Sequence, residues 1–76
     1  MSRLPVLSGR KLVELLGHFG YAVDRQSGSH IILRNTNPPY RRLTVPNHHA
    51  IAKGTLRAIL RHAGIRPADL GEPPRK

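Results

Sequence analysis

The residues able to do chemistry are few and clustered. His30 follows Gly28-Ser29, so it stands at the exit of a hairpin, where a glycine lets other groups approach the backbone closely. An imidazole titrates near neutrality and can take or give a proton in phosphodiester chemistry. Arg34 and Arg42 can neutralise a phosphate beside it. The competing reading is a surface histidine on a strand with no chemical role.

A second cluster is Val45-Pro46-Asn47-His48-His49, where Pro46 stops a strand and the histidines enter a loop. Either histidine can serve as a second acid–base group or a phosphate ligand; the alternative is a loop histidine packing near a helix start. A metal site is not expected. Adjacent histidines rarely converge on one ion, and the chain has no cysteine and only four acids. Lys53-Gly54-Thr55 lacks the upstream glycine and the Gly-Lys order of a nucleotide phosphate loop. It leaves a helix start with a lysine beside it, which can hold a phosphate. Arg41-Arg42 and Arg57, Arg61 and Arg66 form basic patches, with Arg57 and Arg61 on one helical face.

The body that carries these groups is small. Its 76 residues hold 13 lysines and arginines against 4 acids, a formal charge of +9. Such a charge attracts polyanions: RNA, DNA or an acidic protein. The absence of cysteine excludes a disulfide framework and a cysteine nucleophile. No apolar run approaches a membrane span and no basic-then-apolar leader is visible, so a cytoplasmic domain is expected. The aromatic residues are Phe19, Tyr21 and Tyr40. A platform that stacks single strands uses several rings, which disfavours a binder of that type.

The elements that must position the chemistry read as follows. Ser8 is a candidate N-cap for a helix over about residues 9 to 19, with Leu12, Leu15, Leu16 and Phe19 on one face. Gly20 suits a left-handed cap. Strands are expected over 21–26, 30–34 and 40–45, with Asn35-Thr36-Asn37-Pro38-Pro39 as a loop. A three-residue turn, Ser27-Gly28-Ser29, would pair Gln26 with His30 and Val23 with Leu33. It would put Tyr21, Val23, Ile31 and Leu33 together on the buried face. His30, Arg34 and Arg42 would then share the open face. A second helix over about residues 53 to 63 carries Leu56, Ile59, Leu60 and Ala63. It ends at Gly64, with Ile65 packing back. Pro67-Ala68-Asp69-Leu70 can add one turn, and 71–76 is a polar, proline-rich tail expected to be disordered. One domain over 1–70 is expected, an α+β fold in which two helices cover one face of a three-stranded antiparallel sheet. The α-β-β-β-α order is also that of double-stranded-RNA-binding domains.

Taken together, Gly28-Ser29-His30, Val45-Pro46-Asn47-His48 and the run from Lys53 to Ile65 resemble the HicA-type toxins, also called the YcfA-like family. Ser8-Gly9-Arg10-Lys11-Leu12 and Gly20-Tyr21 fit as well. The similarity covers about residues 7 to 70. It implies a double-stranded-RNA-binding-domain-like fold and an mRNA interferase that arrests translation, a role in stress response. It places the active-site histidine at His30 and maps the Pro-x-His histidine to His48. It implies neutralisation by a HicB-type antitoxin, with DNA reached only through that antitoxin. The 67–70 segment departs from the acidic, Phe-ending turn of the family.

The expected function is thus a toxin acting as a metal-independent endoribonuclease without a cofactor. His30 is its catalytic residue and His48 a possible second acid–base group or phosphate ligand. Ser29, Arg34, Arg42 and Lys53 contact RNA. The expected partners are mRNA and a HicB-type antitoxin, with no membrane. The alternative is a non-catalytic RNA-binding module of the same fold. A DNA-binding regulator is a third reading, but no helix-turn-helix precedes the Leu56 helix.

Overall fold

A computed structural model describes residues 6–71. The order is α1 (Gly9–Gly17), β1 (Tyr21–Ser27), β2 (His30–Asn35), β3 (Arg42–Pro46), α2 (Lys53–Ala63) and a short α3 (Pro67–Gly71). The strands form one antiparallel sheet in the order β1-β2-β3. This is the expected α+β architecture, with the extra turn at 67–70 present as α3. The expected tail lies outside the described residues apart from Gly71.

Each helix starts and stops for a local reason. The Ser8 hydroxyl accepts from the Lys11 N–H at 3.1 Å and caps α1. Leu12 and Leu16 are completely buried beneath it. α2 ends at Gly64, whose φ of 75° is left-handed. The Ile65 N–H then donates to the Leu60 carbonyl at 2.9 Å, and Ile65 packs into the core. Leu12, Leu16, Leu56 and Leu60 meet Ile31, Leu33, Leu43 and Val45 in one apolar cluster. Both helices therefore cover the same face of the sheet, and the face carrying His30, Ile32 and Arg34 is left open.

The hairpin differs from expectation. Its loop is two residues, Gly28-Ser29, with Ser27 opposite His30 and Gln26 opposite Ile31. Gly28 has a φ of 58°, which suits a tight hairpin turn. Continued without interruption, this register would turn Tyr21 away from the core. One extra residue, Asp24, bulges between Val23 and Arg25, and the expected Val23–Leu33 pair is restored beyond it. Tyr21 is thereby buried. Val23 shares its face with Leu33 but is 54% exposed, because β1 is an edge strand and the core reaches it only at Tyr21. β3 begins at Arg42, later than expected. Tyr40 has a φ of 61°, a left-handed conformation that no strand accommodates, and its N–H closes a turn onto the Asn37 carbonyl at 2.8 Å.

Candidate functional site

His30 opens β2 and is exposed. Pairing with Ser27 on one side and Pro46 on the other puts it on the open face, at the hairpin end. Backbone contacts fix that end of the molecule. The Asn47 N–H donates to the Ser29 carbonyl at 2.7 Å, and the Gly9 N–H to the His48 carbonyl at 2.8 Å. The Ile51 N–H donates to the Leu7 carbonyl at 2.8 Å. The start of α1, the end of β3, the hairpin turn and the approach to α2 are thus tied together. Gly9 makes this possible. A Cβ there would overlap the Pro46 carbonyl oxygen and stand 2.9 Å from the Asn47 Cα.

The other candidates divide into two groups. His48 comes to the same end as His30, with its neighbour His49. Both line a surface hollow of about 460 Å³ together with Ser8, Arg10 and Asn47. Ser29 is exposed in the hairpin turn, with its carbonyl engaged by Asn47. Lys53 opens α2, whose N-cap residue Ala52 makes no side-chain hydrogen bond to the first turn.

Arg34 and Arg42 do not stand beside His30, contrary to expectation. They face each other across β2 and β3 on the open face. Four residues of extended strand, roughly 13 Å, separate Arg34 from His30. Directly opposed like charges disfavour a sheet. Among the described residues, the ion pairs are Lys11–Glu14 and Arg66–Asp69, so neither guanidinium has a carboxylate to offset the other. Such a pair is suited to an external anion.

Arg25 is the functional candidate that sequence reasoning missed. The two-residue Gly28-Ser29 turn puts it on the open face opposite Ile32, and the bulge at Asp24 lets Tyr21 stay buried in spite of that register. Arg25 is a diagonal neighbour of His30, about 7 Å away between Cα atoms. The charge nearest the histidine along the sheet therefore comes from β1. A signal for it existed: a two-residue Gly-Ser turn and a buried Tyr21 can coexist only if one residue of β1 is skipped.

Other basic groups have structural work. The Arg41 guanidinium donates to the His62 carbonyl at 3.2 Å, at the negative end of α2. The backbone N–H and guanidinium of Arg66 both donate to Asp69, and these contacts hold its carboxyl below the usual carboxylate range. Among the described residues, no three histidine, aspartate or glutamate side chains gather as a metal site would require. No described helix is long and apolar enough to cross a membrane.

The open face thus combines an exposed imidazole at a rigid corner with arginines from all three strands. That arrangement can bind a phosphodiester chain and exchange a proton with it. No curated protein and no solved structure matches the chain. A family model described as the HicA toxin of bacterial toxin–antitoxin systems matches residues 9–65, which span α1, the whole sheet and α2. The chain belongs to the HicA toxin family, and its role is that of a toxin with a cognate antitoxin.

Proposed function

We propose that this toxin is an endoribonuclease that cleaves mRNA on the open face of its sheet, with His30 as the proton-transfer group. The carrying observation is the placement of His30. It is exposed, on the uncovered face, at a corner fixed by the Ser29–Asn47 and Gly9–His48 hydrogen bonds. Such a group can accept the proton of a ribose 2′-hydroxyl as the O2′–P bond forms. The P–O5′ bond then breaks, leaving a cyclic phosphate and a 5′-hydroxyl end. The proton needed at O5′ comes from His48 or from water. Arg25 offsets the charge that develops on the phosphoryl oxygens, while Arg34 and Arg42 hold the chain further along, as Lys53 and Ser29 do at the hairpin end. No step in this scheme calls for a metal ion.

A HicB-type antitoxin would neutralise the toxin by covering the same face, presenting acidic side chains to Arg25, Arg34 and Arg42. Opposite charge gives fast, salt-dependent association.

The test is His30→Ala in purified protein. General acid–base groups contribute about 10²- to 10⁴-fold, so cleavage of a defined RNA should fall by that factor. Circular dichroism and the unfolding midpoint should stay as in the parent, because the side chain is exposed. Cleavage at the parental rate by a folded His30→Ala protein excludes the assignment, and tight RNA binding without any cleavage by the parent points to a binding module.

A further inference from the structure

We infer that the far end of the open face holds a base-stacking subsite, in which Tyr40 and Arg34 receive one unpaired nucleobase of a single-stranded RNA. The inference deepens the reading of the toxin as a ribonuclease, and it rests on that reading for the identity of the polyanion.

The observations are local to one corner. Tyr40 is 48% exposed, whereas Tyr21 is buried in the core and Phe19 packs partly against it. Its φ of 61° is one that a bulky side chain rarely adopts, and no other described non-glycine residue shares it. The ring therefore stands outside the core on backbone that does not favour it. The Arg34 guanidinium lies over this ring, 5.4 Å from its centroid. Val23, largely exposed at the sheet edge, lines the same hollow with Ala22, Asp24, Arg34, Asn35, Thr36 and Tyr40; its volume is about 350 Å³, and Asp24 is its one acid against the Arg34 guanidinium. An apolar floor, an aromatic ring and a guanidinium plane are the groups on which unstacked bases settle.

Charge decides the occupant. The hollow adjoins the opposed Arg34–Arg42 pair, on a chain of formal charge +9. An apolar peptide would gain nothing from those charges, whereas a nucleotide uses the ring for its base and the guanidiniums for its phosphate. The location adds a geometric consequence. Arg34 stands roughly 13 Å from His30 along β2, which exceeds the rise of about 3.4 Å between stacked nucleotides. The stacked base is not the one adjoining the bond that is cut. A single ring serves one base, which differs from the multi-ring platforms that bind long single strands.

The experiment uses the full chain carrying His30→Ala, so that RNA is bound without being cut. The probes are short single-stranded RNA oligonucleotides with 2-aminopurine at successive positions. Stacking should quench the fluorescence at one position, set back from the cleaved bond. Adding Tyr40→Phe should keep the quench. Adding Tyr40→Asn should abolish it and weaken binding by about tenfold to a hundredfold, the range for loss of one stacked base. Asparagine tolerates the left-handed backbone, so this variant should fold at least as well as its parent, which circular dichroism would register. The dependence of affinity on salt should not change with Tyr40→Asn, because the ring carries no charge, and should fall with Arg34→Gln. Unchanged quenching and affinity in Tyr40→Asn would overturn the subsite while leaving the ribonuclease reading intact. Loss of antitoxin affinity alone in Tyr40→Asn would overturn it too, by assigning the ring to the protein partner. Failure of the parent to bind or cut any RNA would remove both readings together.

Discussion

At the hairpin end of the sheet, position is set by backbone. Ser29, Asn47, Gly9 and His48 are tied through their amides and carbonyls, and His30 rides on that frame. At the loop end, backbone bonds from Asn35, Thr36 and Tyr40 close the loop, but the groups it presents are positioned by side chains. The Tyr40 ring and the Arg34 guanidinium hold each other, over a loop anchored by Asn35 to the Phe19 carbonyl and to the Asn37 amide. Proton transfer is sensitive to displacements well under the length of a bond to hydrogen, and backbone frames resist such displacements. Stacking on a ring tolerates sliding. The difference suits the first end to making and breaking bonds and the second to holding a chain of varied sequence.

Breaking the hairpin end should have the largest effect. Gly9→Ala forces a methyl group against the Pro46 carbonyl and the Asn47 Cα. Overpacking of this kind costs about 1 to 3 kcal/mol. The shift is transmitted to Ser29 through Asn47, so cleavage should fall by more than the loss of folded protein accounts for. Denaturant titration alongside single-turnover cleavage separates the two. Fluorescence of a base stacked on Tyr40 should be untouched. A uniform loss at both ends would show that the contrast drawn here is false.

A smaller effect is expected between the ends. Arg25→Gln removes the positive charge diagonal to His30, and cleavage should drop roughly tenfold to a hundredfold, as for one charge-assisted contact of about 1.5 to 3 kcal/mol. Arg42→Gln, further from the histidine, should weaken RNA binding more than the rate of the cleavage step. Equal losses of rate in the two variants would mean that distance from His30 does not matter.

The smallest effect is expected away from both ends. The Asp69 carboxyl titrates below its ordinary value because of its contacts with Arg66. A carboxyl depressed in the folded state adds stability above its unfolded pKa, and that stability is lost as pH falls through the folded value. Asp69→Asn should therefore lower the unfolding midpoint slightly at neutral pH. The gap to the parent should close as the solution is acidified below about pH 4. Cleavage measured at neutral pH should not change. A deficit that persists in acid would assign the effect to the hydrogen bonds and not to the charge.

Much of this was legible in the residues. The apolar stripe from Leu12 to Phe19, the Gly64 cap and the alternation through Ile31, Leu33, Leu43 and Val45 specify the layers, because periodicity and burial are local signals. The outward facing of His30 was legible because it alternates with the buried Ile31 and Leu33 in β2, whichever turn precedes it. Arg25 was not, since one skipped residue exchanges the faces of a strand and only the pairing reveals it. Tyr40 was not, because tyrosine carries no preference for left-handed backbone and alternation alone made it the first residue of β3. Gly9 reads as a helix start, and its contact with Pro46 spans most of the sheet in sequence. The separation of Arg34 from His30 needed only the strand rise, which shared facing had obscured.

The bulge at Asp24 has a consequence for how such a toxin can change. β1 gives only Tyr21 to the core, and its remaining residues are exposed. Deleting Asp24 would remove the bulge and leave every other pairing of β1 in place, whereas deleting Arg25 would bring Asp24 opposite Ile32, an acid in place of a base on the open face, with every helix and both of the other strands spared. Folding would be nearly blind to the second deletion, whereas the chemistry of the open face would be rewritten in one step. β1 is in this sense a movable row of type set against a fixed plate, and one altered codon count there can redirect what the toxin grips without endangering the protein that grips it.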